Sequence, residues 1–205
     1  MSFTKRINSH RSAKVPDLAI ALAIGVTLFA TCLLSEEPEL INGRVAEVRD
    51  GDTISFCPKI DEECKSSEQF EVDLWGIDAP EMQPLKQFHA EKAKDYLESV
   101  VKSKVVILEV KETEDSGKKI AKLFVVGADP SNLNVHLLME GHAWSTAKGD
   151  LDALEYDLAQ DYAKERKLGL WREVEPVAPW DWRKQHEEES SEAETPEESE
   201  PASVN

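Results

Sequence analysis

Residues 48–54 read VRDGDTI, and residues 74–81 read LWGIDAPE. Each stretch joins a short apolar run to acidic residues, which are Asp52 in the first and Asp78 and Glu81 in the second. A turn that pairs the two runs as strands would gather these carboxylates at one edge of a sheet. Such oxygen clusters bind hard cations such as Ca²⁺, and a carboxylate beside a bound metal can activate water for attack on a phosphodiester. Taken alone, the tripeptide DGD is more typical of a simple hairpin turn.

Two later stretches, NVHLLMEGHAW at residues 134–144 and KLGLW at residues 167–171, follow the acidic ones along the chain. Together the four stretches resemble the staphylococcal nuclease (thermonuclease-like) family over about residues 43–182. The combination and its order are specific, although each piece alone is weak. The resemblance implies a small OB-type β-barrel with helical cover, which carries a metal-dependent nuclease site.

The spacing of apolar residues independently predicts five strands and three helices. The strands are expected at residues 41–48, 53–57, 70–75, 105–110 and 120–126, and the helices at about 84–102, 134–140 and 151–167. This order fits an α+β fold built on a five-stranded OB-type barrel. The last helix groups Leu154, Leu158 and Tyr162 on one face, and Trp180 and Trp182 are expected to pack the chain end onto the domain.

Charge and hydropathy divide the chain into four parts. Residues 1–16 are basic, 17–35 hold an apolar run, 36–185 form the thermonuclease-like domain, and 186–205 form an acidic tail expected to be disordered. Basic residues before the run and acidic residues after it keep the N-terminus in the cytoplasm. We therefore predict a signal anchor that crosses the bacterial inner membrane once, with the domain in the periplasm or outside. The alternative is a signal peptide, whose cleavage secretes the domain.

Export gives a meaning to Cys57 and Cys64, which bracket a polar stretch between two predicted strands. In an oxidising compartment such a pair usually forms a disulfide. The loop is short, so the expected stabilisation is modest, at roughly 2–3 kcal/mol. Two cysteines without histidine neighbours are a poor zinc site. The sequence therefore predicts a disulfide between Cys57 and Cys64.

The resemblance to the nuclease family also assigns the acidic residues. In the family, calcium is held by an aspartate of the first hairpin turn, a second aspartate before the Pro-Glu dipeptide, and the carbonyl that follows it. By resemblance these ligands are Asp52, Asp78 and the backbone oxygen of Ala79. The family's general base, a glutamate that positions the attacking water, corresponds to Glu81. Few protein ligands and much coordinated water predict weak calcium affinity, with a dissociation constant of about 10⁻⁴–10⁻³ M.

The family also places two arginines on the phosphate, and this chain has neither at the matching positions. The first position, five residues before Asp78, is Asp73, and the second, in the loop after the fourth strand, is Lys118. Lysine keeps a charge but cannot make the bidentate contact, and Asp73 places a negative charge beside the expected phosphate. Because such an arginine can contribute about 10³–10⁵ in rate, weak or lost hydrolysis is predicted.

No arginine occurs between Arg49 and Arg166, so a shift of register within this part cannot restore the pair. The less favoured interpretation is that Arg44 or Arg49, from the first strand, reaches the site and replaces a missing family arginine. His89, His136 and His142 lack ligand spacing and are interpreted as surface or core residues.

The overall charge bears on the partner. The chain has 24 basic and 41 acidic residues and a net charge of −17, and the acidic excess extends through the domain. Nucleic-acid binders rely on basic surface, so this charge disfavours a nucleic acid partner. The first hypothesis is an exported calcium-dependent phosphodiesterase, or nuclease, acting on DNA or RNA through a degenerate catalytic site. The alternative is a non-catalytic accessory module of the cell envelope, for example in succinoglycan-type exopolysaccharide biosynthesis, with an envelope protein or polysaccharide as partner.

Overall fold

The computed structural model describes residues 37–128, 132–149 and 151–193. The predicted cytoplasmic segment and apolar run, residues 1–35, lie outside these ranges, as do residues 194–205 of the acidic tail. Within the described ranges no helix has the length and apolar character needed to cross a membrane.

Five strands close into a barrel, as the sequence predicts. In spatial order they are β1 (Glu39–Val48), β2 (Thr53–Cys57), β3 (Phe70–Leu74), β6 (Lys119–Val125) and β5 (Val106–Thr113), with β5 pairing back onto β1. Neighbouring strands are antiparallel except β3 and β6, which are parallel. A separate pair, β4 (Ile77–Asp78) and β7 (Trp144–Ser145), lies outside the barrel sheet. The observed barrel confirms the predicted five-stranded, OB-type α+β architecture.

The barrel interior is filled by one face of each strand. Ile54 and Phe56 of β2, Val72 of β3, Leu108 of β5 and Leu123 of β6 are completely buried. Burying a side chain of this size stabilises the fold by about 1.5–3 kcal/mol. Because successive side chains of a strand point to opposite faces, the residues next to Val72 on β3 are placed on the outside of the barrel.

The described part of the chain contains four α-helices, one more than the sequence predicts. They are α1 (Ala90–Val101), α2 (Leu133–Met139), α3 (Leu151–Arg166) and α4 (Pro179–Ala193), with single 3-10 turns at Ser66–Glu68 and Gly169–Arg172. Helix α4 extends into the segment 186–205 that composition predicts to be disordered. A proline at its first position and an aspartate in its first turn favour helix initiation. The prediction of disorder rests on the low hydrophobicity of the segment, which does not reflect these helix-start signals.

Helix α3 packs with a different face from the one that its long apolar residues suggest. Leu154 and Leu158 are exposed by 58% and 61%, whereas Tyr156 is completely buried. The small residues Ala159 and Ala163 share the buried face. Small side chains on this face allow the helix to lie close to the domain. The leucines, which the sequence analysis expects to be buried, therefore face the solvent.

The end of β2 carries the predicted disulfide. Cys57 is bonded to Cys64, and their Cα atoms are 6.1 Å apart. Cys57 is completely buried, so the bond ties the loop after β2 to the barrel wall.

The chain end docks onto the domain through its tryptophans, which confirms that prediction. The ring centroid of Trp180 lies 5.7 Å from that of Trp144 in an edge contact. The indole N–H of Trp182 donates to the carbonyl of Leu85 at 3.2 Å. Gln87 adds a hydrogen bond of 2.7 Å to the carbonyl of Val177, just before α4. Three separate contacts therefore position the first turn of α4.

Candidate active site

The hairpin between β1 and β2 is shaped by its own aspartate. One carboxylate oxygen of Asp50 accepts hydrogen bonds from the backbone N–H groups of Asp52 at 3.1 Å and Thr53 at 2.7 Å. Such bonds close the turn and fix the direction of the Asp52 side chain. A Cβ on Gly51 would lie 2.6 Å from the Cβ of Ala79, so glycine is required by this close approach.

The same hairpin is joined to the second acidic stretch. Asp52 Oδ2 accepts a hydrogen bond of 2.6 Å from the backbone N–H of Ala79. Because Ala79 directly follows Asp78, this bond brings the carboxylates of the two stretches to one place. The predicted turn chemistry and the predicted strand pairing therefore act together to form the site.

The acidic residues line one cleft of about 390 Å³. Its carboxylates belong to Asp50, Asp52, Asp73, Asp78 and Glu81. The two predicted metal-binding side chains and the predicted general base therefore share one space, as expected from the sequence. The side chains of Asp78 and Glu81 are largely buried, with 15% and 21% of their surface exposed.

Burial, and to a smaller extent neighbouring negative charge, raises the pKa of two of these carboxyl groups. Burial, together with the nearby charges of Asp50 and Asp78, raises the pKa of Asp52 well above its usual range, although the bond from Ala79 opposes this shift. Burial likewise raises the pKa of Glu81, against the opposing effect of Arg183. A raised pKa suits a group that accepts a proton from water near neutral pH.

Asp73 and Lys118, which the resemblance predicts to stand where the family has its arginines, are paired with each other. Lys118 Nζ lies 2.6 Å from Asp73 Oδ2 and 3.3 Å from Glu71 Oε1. Burial lowers the pKa of Lys118, but these two carboxylates outweigh that effect and raise it. Lys118 is therefore charged and already engaged by carboxylates, as is Arg49, whose Nη1 lies 2.6 Å from Glu71.

An arginine that the sequence did not point to occupies the cleft. Arg183, on α4, donates from Nη1 to Asp78 Oδ1 at 3.1 Å and from Nη2 to Asp78 Oδ2 at 2.8 Å. Its Nη1 also pairs with Glu81 Oε1. The only sequence signal for this contact is the expected docking of Trp180 and Trp182, which precede Arg183 within one helical turn but do not show which way its side chain points. Arg44 instead pairs with the backbone oxygen of Glu62.

The donor atoms of the cleft are suited to a hard cation. The carboxylates of Asp52 and Asp78 line the same cleft, and a cation bound there would relieve the repulsion that helps to disfavour ionised Asp52. In the described part of the chain, no group of three or more histidine, cysteine or acidic side chains is arranged to hold a metal by itself. Any calcium would therefore depend on the Ala79 carbonyl and on water, and on Asp78 being free of Arg183.

The structure also assembles histidines that are distant in the sequence. His89 Nε2 lies 3.1 Å from His142 Nδ1, and Tyr96 stacks on the His142 ring with centroids 4.2 Å apart. His136 lies beside Tyr96, with its Nδ1 3.4 Å from the hydroxyl oxygen. Burial lowers the pKa of both His89 and His142 to about 4, so both are neutral at physiological pH. His89 is buried and His136 and His142 are half-buried, so the three rings lie between the surface and core positions that the sequence analysis expects.

Comparisons with known proteins agree with this architecture. The family described as "Staphylococcal nuclease homologue" matches residues 71–173. The chain is 32% identical over 143 residues to an "Uncharacterized endonuclease" of Escherichia coli O157:H7, covering 70% of this chain and 85% of that protein. It is 30% identical over 164 residues to an "Uncharacterized endonuclease" of Haemophilus influenzae, covering 80% and 85% of the two chains.

A "Micrococcal nuclease" of Shigella flexneri is 27% identical over 150 residues, covering 69% of this chain and 80% of that protein. The matched family segment contains Asp73, Asp78, Glu81 and Lys118, whereas β1, β2 and Asp52 precede it. The chain belongs to the family of staphylococcal nuclease homologues.

Proposed function

We propose that this chain is a calcium-dependent phosphodiester hydrolase of the nuclease type, acting on DNA or RNA. The observation that carries the proposal is that Asp52, Asp78 and Glu81 line one cleft, joined by the bond from Ala79 N–H to Asp52. The family membership and the printed names of the relatives support the same reaction class.

Each residue has a distinct part in this proposal. Asp52, Asp78 and the carbonyl oxygen of Ala79 would hold the cation, which when bound neutralises charge on the phosphate and polarises its oxygens. Glu81 accepts a proton from the attacking water, a role that its raised pKa favours. Hydrolysis is expected to be slow compared with relatives that keep both family arginines, because Lys118 is bound by Asp73.

The test of the proposal is cleavage of single-stranded DNA and RNA by the full-length chain in calcium and in EGTA. We expect slow cleavage that requires calcium, and Glu81→Gln should lower the rate by about 10²-fold or more, the usual contribution of a general base. Glu98→Gln, an exposed glutamate on α1, is the matched control and should leave the rate unchanged. Equal rates for the wild type and Glu81→Gln would refute the proposed role of Glu81.

We also propose that the domain acts outside the cytoplasm, held by a single-pass signal anchor in the inner membrane or secreted after signal cleavage. The Cys57–Cys64 disulfide supports an oxidising compartment. Fractionation and protease treatment of intact spheroplasts distinguish these locations. An exported, anchored domain is found in the membrane fraction before treatment and is degraded by the added protease, whereas a secreted domain is recovered in the medium. A domain that the protease cannot reach in intact spheroplasts would refute export.

A non-catalytic accessory role in the cell envelope is the second candidate, with a protein or polysaccharide partner. One observation favours this role. Lys118 is the only cation at the two positions where the resemblance expects phosphate-binding arginines, and it already forms ion pairs with Asp73 and Glu71. Absence of cleavage by folded, calcium-loaded protein on both nucleic acids would make this the leading function.

A further inference from the structure

Arg183 lies at the cleft because the first turn of α4 packs against the domain, and not only because its guanidinium forms ion pairs there. Its neighbour Trp182 donates to the Leu85 carbonyl, and Trp180 packs against Trp144. Val177, two residues before α4 begins, accepts a hydrogen bond at its carbonyl from the side chain of Gln87, which is buried. The backbone at residue 183 is therefore positioned independently of the ion pairs that its guanidinium makes.

The guanidinium has hydrogen-bonding capacity left over. Arginine carries five N–H donors, and the contacts to Asp78 and Glu81 use three of them. Its side chain is 43% exposed, although the partner carboxylates are largely buried. Two donors therefore remain for another acceptor, and a planar fork of this kind matches phosphate geometry.

Arg183 and a divalent cation require the same atoms. Both oxygens of Asp78 accept from the guanidinium, and Asp78 is also one of the two side chains available to a metal in the cleft. Asp78 cannot give these lone pairs fully to both positive groups. When Asp78 binds the cation, Arg183 loses its strongest contacts but stays beside Glu81, because α4 remains docked.

We propose that Arg183 is the phosphate-binding arginine of this chain, released from Asp78 when a cation binds there. This inference rests on the proposed function and deepens it. In the metal-free protein the guanidinium pairs with both Asp78 and Glu81. In the loaded protein it donates to a non-bridging oxygen of the nucleic acid phosphate, a role that neither Asp73 nor the occupied Lys118 can take. Position 183 lies beyond the matched family segment, which ends at residue 173.

The experiment compares Arg183→Gln with Lys184→Gln, which removes one positive charge from the adjacent, exposed position of the same helix. Calcium binding is measured by calorimetry on the full chain without nucleic acid. Binding of a phosphorothioate single-stranded oligonucleotide, which resists cleavage, is then measured by fluorescence anisotropy in saturating calcium. Circular dichroism establishes that each variant is folded.

We expect Arg183→Gln to bind calcium about threefold or more tightly, because Asp78 no longer has a competing cation. The same variant should bind the phosphorothioate about tenfold or more weakly, the effect of losing charged hydrogen bonds to phosphate. Arg183→Lys should restore part of the oligonucleotide affinity, since lysine keeps the charge without the fork. Lys184→Gln should change neither measurement appreciably.

Three outcomes overturn the inference. If Arg183→Gln binds calcium more tightly and the oligonucleotide equally well or better, Arg183 is an inhibitory cap. If calcium affinity falls in Arg183→Gln, the arginine only orders the acidic residues. If Lys184→Gln weakens oligonucleotide binding equally, the effect is that of general charge.

The binding measurements keep this inference separate from the proposed hydrolysis. A wild type that cleaves nucleic acid while Arg183→Gln binds and cleaves equally well contradicts the inference and leaves the proposed function standing. A wild type that does not cleave, but needs Arg183 to bind the oligonucleotide in calcium, supports the inference and contradicts the hydrolase.

Discussion

Asp52 is a carboxyl group whose surroundings favour its neutral form. Its pKa in the folded protein is raised above the ordinary aspartate value of 3.8, first by burial and then by Asp50 and Asp78. A group with a raised folded pKa binds more protons folded than unfolded. Its contribution to stability is therefore full below pH 3.8 and is lost as the pH rises through the folded pKa.

Asp52→Asn should consequently stabilise the metal-free protein at neutral pH. Asparagine keeps an oxygen that can accept the Ala79 N–H bond but carries no charge. In EGTA at pH 7 we expect the melting temperature to rise by about 2–4 °C, the shift that about 1 kcal/mol produces in a chain of this size. The gain should vanish as the pH approaches 4.

Calcium should reverse the order of the two proteins, because only the wild type then gains stability from binding. Asp61→Asn, at an exposed position of the loop closed by the disulfide, serves as the control for loss of one negative charge. A destabilised Asp52→Asn in EGTA at pH 7 would show that the hydrogen bond outweighs the repulsion.

Asp73 places a negative charge beside the expected phosphate. Substitution by arginine reverses this charge. We expect the double change Asp73→Arg with Lys118→Arg to cleave single-stranded DNA in calcium at least about tenfold faster than the wild type. Tenfold corresponds to about 1.4 kcal/mol of transition-state energy, a small share of what two positioned arginines can supply. The measurement is an initial rate at saturating calcium.

The single change Lys118→Arg is the matched control for this double variant. Asp73 would still pair with residue 118, as it does with Lys118 at 2.6 Å, so little gain is expected. Adding Glu81→Gln to the double variant should abolish its gain if Glu81 handles the water. An unchanged rate in the folded double variant would favour the accessory-module function.

At the scale of elements, local patterns predicted the barrel and the meeting of the acidic stretches. The strand from Thr53 to Cys57 has the predicted bounds, because a turn signal and a cysteine delimit it. Asp52 directly precedes β2, and Asp78 follows β3 by four residues, so the pairing of β2 with β3 brings the two acids near each other. The bond from the Ala79 N–H to Asp52 then joins them. These predictions depend on short-range periodicity, which is fully present in the sequence.

Elements whose placement depends on distant packing were not predicted correctly. The leucines of α3 suggest a buried face, yet Tyr156 and alanines are the buried residues. The orientation of the helix follows from how closely its backbone can approach the domain, and not from the hydrophobicity of its side chains. Arg183 is 105 residues from Asp78, and its place follows from how α4 docks. Tryptophan spacing predicted that the chain end packs but contained no information about which side chain would face the cleft.

At the scale of the molecule, the net charge of −17 opposes any polyanionic substrate. The cleft itself carries five carboxylates against the nearby cations Arg183 and Lys118. A basic nuclease gains encounter rate from attraction, which salt weakens. The acidic surface of this chain instead repels a nucleic acid at long range. Salt screens that repulsion and should therefore favour binding.

We expect the KM for a long single-stranded DNA to fall by about twofold or more as KCl rises from about 20 to 150 mM, because the Debye length shortens from roughly 20 to 8 Å. Free calcium must be kept saturating at each salt concentration, since screening also weakens calcium binding. A dinucleotide with one phosphodiester is the matched substrate, and its KM should change little because it carries a single charge. A KM that rises steeply with salt for the long substrate would instead reveal a local basic path to the cleft that overrides the acidic surface, and the charge argument against nucleic acid would then fail.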